Sequence, residues 1–148
     1  MTQSYDDLYW NSDDGLRLHA RDHAPAVGLA PRGTVVCIPG LTRNAADFDA
    51  LAQTLTAEGW RVIAVDLRGR AGSERAHDPT SYNARTYADD MVALLRSQSI
   101  ARAVFVGTSL GVLVTLTVAS RAPDLVAAAV LNDAGPRVPR EALARIGK

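Results

Sequence analysis

Residues 103–118 read Ala103-Val104-Phe105-Val106-Gly107-Thr108-Ser109-Leu110-Gly111-Val112-Leu113-Val114-Thr115-Leu116-Thr117-Val118. A short β-rich run enters a glycine-flanked serine, and a continuous apolar run leaves it. That order predicts a buried strand, a sharp turn with Ser109 at its apex, and a buried helix, the arrangement of a nucleophile elbow. The glycines have a steric reason to be there. The serine backbone of such a turn is strained, and a side chain two residues to either side would collide where strand and helix meet. The pentapeptide alone is a weak signal, with an incidental helix N-cap as its bland alternative; the strand before it and the helix after it give it weight. Ser109 is therefore expected at φ > 0, and a bulky residue at Gly111 is expected to destabilise the fold.

Working outward from the elbow, apolar segments alternate with helical ones. Asp7 to Trp10 and Leu16 to His19 are short alternating runs around the turn-rich Asn11-Ser12-Asp13-Asp14-Gly15, which predicts an opening antiparallel hairpin. After a loop over 24–32, Thr34 to Ile38 reads as a strand buried on both faces and ends in Pro39-Gly40-Leu41-Thr42-Arg43-Asn44. Phe48, Leu51, Ala52 and Leu55 recur at helical spacing within a helix expected from Ala45 to Glu58, stopped by Gly59. Arg61 to Val65 repeats the buried-strand pattern and closes on Asp66-Leu67-Arg68-Gly69-Arg70-Ala71-Gly72-Ser73. An amphipathic helix over Thr86 to Ser97 precedes the elbow. Beyond the elbow helix, which ends near Arg121, Val126 to Leu131 is one more apolar strand, followed by Asn132-Asp133, with a last helix beginning over 141–146. Alternating strands and helices mean βαβ units, so the fold class is α/β with a largely parallel sheet. Ligands of such sheets bind beyond the carboxyl ends of the strands. Val35 to Ile38 and Val104 to Val106 should be central parallel neighbours, with the hairpin at one edge.

The 148 residues fit one domain, and a 47% hydrophobic content suffices for a core. Sixteen Lys plus Arg balance sixteen Asp plus Glu, so no net field recruits nucleic acid or an anionic membrane surface. No apolar run is long enough to span a bilayer, and Met1 to Trp10 is polar and acidic, so a cytoplasmic setting is expected. Cys37, the one cysteine, lies within a predicted buried strand and reads as a small core residue with no disulfide or metal role.

Together, Pro39-Gly40-Leu41-Thr42-Arg43-Asn44, Asp66-Leu67-Arg68-Gly69 and Gly107-Thr108-Ser109-Leu110-Gly111, each at the end of a buried strand and in this order, resemble the α/β-hydrolase superfamily. The likeness is to its esterase-like, carbon–carbon-bond-hydrolase-like branch and runs over essentially the whole chain. It implies Ser109 as nucleophile toward an acyl carbonyl, with the backbone N–H groups of Leu41 and Leu110 forming an oxyanion hole. It implies no metal and no organic cofactor, and a small-molecule acyl substrate as the partner. Arg43, at the mouth of the oxyanion loop, is a candidate substrate contact, while Asn44 is expected to cap the helix that follows.

The chain also departs from the family pattern. Pro39 stands where many members have histidine, Ala71 where a glycine often lies, and Val112 where a second glycine is common. The family order is Ser, acid, His in members about twice as long. Here 39 residues follow Ser109 and none is a histidine, so the sheet is expected to be truncated after about the sixth strand. Asp133, just past that strand, is the candidate triad acid, with a loop or capping role as its alternative. His19 and His23, on the hairpin, are expected at the surface. His77, in the loop after the Arg61 to Val65 strand, is the one histidine on the active side, although its neighbours read as an ordinary exposed loop.

Two functions of different class therefore follow. One is the N-terminal part of a serine-dependent hydrolase of an ester or related acyl bond, incomplete as this chain. The other is a non-catalytic small-molecule or partner-binding module on the same scaffold. An exposed apolar edge at the last strand would invite self-association or a complementing chain.

Overall fold

The computed structural model describes residues 4–132. The strands are β1 (Asp6–Asn11), β2 (Arg17–His23), β3 (Gly33–Ile38), β4 (Trp60–Asp66), β5 (Ala103–Thr108) and β6 (Val126–Asn132). They form one sheet in the order β1-β2-β4-β3-β5-β6. β1 and β2 are antiparallel, β2 is antiparallel to β4, and the remaining pairs are parallel. The expected α/β class and edge hairpin are both present, and β3 lies between β4 and β5 with Val36 opposite Ile63 on one side and Phe105 on the other. Val35, Val36, Cys37 and Ile38 are all buried, which is why that strand reads as an unbroken apolar run. Burial also pushes the Cys37 thiol up to about 12, so it stays protonated as a core group.

Three helices cover the two faces: α1 (Asp49–Thr56), α2 (Ala84–Ser97) and α3 (Leu110–Arg121). α1 seals a smaller core through Phe48, Ala52, Val62 and Ala64. α2 and α3 close the larger one, where Met91, Leu94, Val114 and Val118 pack against Val36, Ile63 and Phe105. Asn83 caps α2 by accepting from Thr86 N–H at 2.9 Å.

The single helix expected from Ala45 is divided. Ala45–Phe48 is a one-turn 3-10 helix and α1 begins only at Asp49. The first turn is wound tightly because two side chains from outside the helix ladder hold it. Asn44 Oδ1 accepts from Ala46 N–H at 2.9 Å, the capping role expected of it, and Asp66 Oδ1 accepts from Ala45 N–H at 2.8 Å. Gly59, at φ 100°, ends the segment where a Cβ would lie 2.8 Å from the Ala30 carbonyl oxygen. The helix expected over 141–146 lies outside the described residues.

Candidate active site

The chain enters α3 from β5 through Ser109, whose backbone has φ 54° and ψ −113°. This is the positive φ expected of the apex, at a ψ outside even the left-handed helical region that L-residues occasionally visit. The flanking glycines make the turn possible. A Cβ on Gly107 would lie 2.3 Å from the Gly111 carbonyl oxygen, and one on Gly111 would lie 2.1 Å from that of Ile38. Ser109 is solvent-exposed and its side chain caps no helix N–H. The first N–H groups of α3, beginning with Leu110, have no carbonyl one turn earlier within the helix.

The loop after β3 reaches the same place. A Cβ on Gly40 would lie 3.4 Å from Ser109 Cβ and 3.7 Å from the Thr108 carbonyl oxygen. Pro39 and Gly40 are buried, whereas Leu41 is exposed. Three hydrogen bonds hold this loop. Arg43 N–H donates to the Gly40 carbonyl at 3.1 Å, Arg70 Nε donates to the Leu41 carbonyl at 2.7 Å, and Ala45 N–H is fixed on Asp66 as described. Gly40, Leu41, Ser109 and Leu110 thus come together at the carboxyl ends of β3 and β5.

Beside them opens a cleft of about 420 Å³ lined by Arg43, Asp47, Phe48, Leu51, Val106, Thr108 and Asn132. Arg43 stands on its wall. Its Nε and Nη2 fork onto Asp47 at 2.8 Å each, which keeps the guanidinium charged and fixed in direction. Asn132 closes the far side, with its carbonyl accepting from Ser109 N–H at 3.2 Å. Asp133 lies outside the described residues.

The histidines correct one expectation. His19 and His23 are buried, not surface residues, at 8% and 2% exposure. His19 places Nδ1 2.6 Å from Asp66 Oδ2 and Nε2 2.7 Å from Asp7 Oδ1. His23 packs against the Tyr5 ring with Nε2 3.7 Å from Asp49 Oδ1. His19 enters the hairpin core because carboxylates distant in sequence meet both of its ring nitrogens there. His77 is exposed, as expected.

A second buried centre was also unforeseen. Arg68, 1% exposed, donates to both oxygens of Asp90 and to both oxygens of Asp14, over 2.7–3.0 Å. Its guanidinium holds the Asp14 carboxyl down to about 2, whereas burial raises Asp90 to about 6 against the pull of the same arginine. No local pattern pairs residue 90 with residue 68. Among the described residues, no three His, Cys, Asp or Glu side chains converge as a metal-ligand set.

A family model described as alpha/beta hydrolase fold matches residues 33–146. The chain is 36% identical over 113 residues to the 3-hydroxybutyrate-oligomer hydrolase of Cupriavidus necator, covering 76% of this chain and 38% of that protein. It is 39% identical over 104 residues to the 2-(acetamidomethylene)succinate hydrolase of Mesorhizobium japonicum, covering 70% and 36% respectively. Among solved structures, an alpha/beta hydrolase from Novosphingobium aromaticivorans superposes with a TM-score of 0.81 at 48% identity, over 99% of this chain and 50% of that one. The chain therefore spans half or less of the length of each of these proteins.

Proposed function

This chain belongs to the alpha/beta hydrolase fold family, and from that premise we propose that it carries the nucleophile of a serine hydrolase cleaving an ester or related acyl bond. The observation that carries the reading is the strained Ser109 backbone, at φ 54°, set beside Gly40 at the carboxyl end of the sheet. In this reading Ser109 Oγ attacks the acyl carbonyl from the cleft side. Negative charge then develops on the carbonyl oxygen, and the N–H groups of Leu110 and Leu41 receive it. Such donors act on the transition state more than on the substrate, and losing one typically costs about 10²–10³ in kcat.

Arg43 faces the acyl substrate in the same reading. Among the described residues Asp47 engages its Nε and Nη2, and Arg43 lines the cleft. Asp133, the next residue after β6 in the chain, is assigned the part of the triad acid. No role as general base falls to His19 or His23, since both are buried in the hairpin core and both ring nitrogens of His19 are already taken up by carboxylates. Removal of the Ser109 proton is therefore the step for which the described residues offer least, and the 148-residue polypeptide by itself is expected to acylate only slowly, the Ser109 proton passing to solvent as the ester's alcohol or phenol leaves, and without sustained turnover. A reducing cytoplasmic setting fits the lone buried thiol of Cys37.

The hydrolase names of the relatives favour this reading over a binding module. The test is exposure of the chain to an activated ester such as p-nitrophenyl acetate, with peptide mapping by mass. Ser109 should acylate about tenfold or more faster than the exposed Ser99, and Ser109→Ala should remove that adduct. Equal labelling of Ser109 and Ser99 would overturn the assignment.

A further inference from the structure

We propose that His19 is a positioning residue for the oxyanion loop: as an imidazolium held between Asp7 and Asp66, it fixes the carboxylate that anchors Ala45 at the end of that loop. The inference rests on reading the Gly40–Leu41 loop as an oxyanion donor.

Both ring nitrogens of His19 face carboxylate oxygens, Nδ1 at 2.6 Å from Asp66 and Nε2 at 2.7 Å from Asp7. A neutral imidazole carries one N–H, so with both carboxyl groups ionised and able only to accept, both contacts are hydrogen bonds only when both nitrogens are protonated. The result is a cation between two anions, with charge-assisted bonds on either side.

Asp66 is the point where this matters for the site. Its side chain is 3% exposed, and a carboxylate so buried requires a counter-charge. It also accepts from Ala45 N–H at 2.8 Å and from Gly72 N–H at 3.2 Å. One carboxylate thus joins β2, the loop after β3 and the loop after β4. With Oδ2 directed by His19, Oδ1 is left aimed at Ala45, four residues beyond Leu41. Rotation of the carboxyl group would release that N–H inside the fold, where an unmade bond is costly.

The ring itself has little freedom. A Cβ on Gly72 would lie 2.7 Å from His19 Cγ, so glycine there admits the imidazole against the backbone. On another side the Tyr9 ring lies 5.2 Å away, centroid to centroid, with the Arg17 guanidinium over that tyrosine at 3.9 Å. The charged and titratable groups facing the ring are therefore Asp66 from β4, Asp7 and Tyr9 from β1, and Arg17 across Tyr9. Through Asp66, the edge hairpin is coupled to the loop beside Ser109.

The test reads the loop directly, in the ¹⁵N-labelled full chain carrying His19→Gly. The Ala45 amide should exchange about tenfold faster, the equivalent of one net hydrogen bond, and the Ala45 and Leu41 resonances should shift. Added 4-methylimidazole, which reproduces the missing side chain, should restore both. Added 1-methylimidazole, of equal volume but with only one N–H even when protonated, should not. Unchanged amides, or restoration by both compounds or by neither, would overturn the proposal. Where His19→Gly fails to fold, Asp7→Ala removes one carboxylate at a half-exposed position; faster Ala45 exchange supports the proposal and unchanged exchange overturns it. Amides that respond while Ser109 does not acylate would leave the positioning role standing and remove the oxyanion reading, and the reverse pattern would do the opposite.

Discussion

Gly111 and Ile38 meet backbone to backbone: a Cβ on Gly111 would lie 2.1 Å from the Ile38 carbonyl oxygen and 2.8 Å from the carbonyl carbon. Ile38 is the last residue of β3, so this contact sets how closely α3 approaches the strand that leads into Gly40. Replacing Gly111 forces the elbow helix away from that strand, since neither backbone can yield by a rotamer change. Gly111→Ala is expected to lower stability by about 3 kcal/mol, the upper range of overpacking costs, and Gly111→Val to cost more or prevent folding. Urea unfolding of the variants measures it. A midpoint for Gly111→Ala indistinguishable from the parent would show that the contact is not tight.

Ala71 occupies the left-handed region at φ 41°, in the loop position where the resemblance leads one to expect glycine. An L-residue there costs roughly 1–2 kcal/mol through its Cβ, while glycine returns about half of that as extra unfolded-state entropy. Ala71→Gly should therefore stabilise the chain by about 0.5–1 kcal/mol. The expected readout is a higher thermal midpoint with an unchanged denaturant slope. A lower midpoint would mean that the loop relaxes this residue at no cost.

The pH dependence should carry the mark of His23. Its Nε2 is buried without a hydrogen-bond partner, and burial holds the imidazole below its ordinary value, partly opposed by Asp49. The sign follows from proton counting. As pH falls through about 6.5 the unfolded chain takes up a proton that the folded chain refuses, so stability falls there and levels off once the folded histidine also titrates. His23→Phe cannot titrate, so the stability difference between variant and parent should move in the variant's favour between about pH 7.5 and pH 5. Urea midpoints at those two values suffice, and a constant difference would remove His23 from the acid response.

The parts legible in the sequence were those encoded locally. Gly107 and Gly111 flank Ser109 within five residues, and β3 and β5 announce themselves as unbroken apolar runs, although only β3 is buried on both faces while Val104 and Val106 of β5 are half-buried. Asn44 could be read as a cap from its place before a helical pattern. His19 could not. Its partners lie 12 and 47 residues away, and Leu18, His19 and Ala20 are all buried, so the period-two alternation that marks an exposed face is absent. Arg68 hid for the same reason, since Asp90 is 22 residues distant and Asp14 is 54. The 3-10 turn at Ala45 likewise depends on Asp66, a residue of another strand. What escaped the sequence was long-range polar pairing, which leaves no periodic trace.

β6 presents apolar side chains to water. Val130 and Leu131 are 54% and 45% exposed, and among the described residues β6 pairs with β5 alone. Next to it, Val35, Leu51, Leu55, Trp60, Val104, Val106 and Val130 line an apolar cleft of about 230 Å³. An unpaired edge beside an apolar cleft offers both backbone hydrogen bonds and buried area to another strand. The 148-residue chain is therefore expected to associate in solution as concentration rises. Val130→Lys should oppose this by placing a charge in the cleft mouth, at a cost to the folded chain within about 0.5 kcal/mol because the site is exposed. Sedimentation velocity across a concentration series distinguishes the outcomes: a parent chain that remains monomeric throughout would show that β6 is not adhesive, whereas association unaffected by Val130→Lys would place the contact elsewhere on the surface.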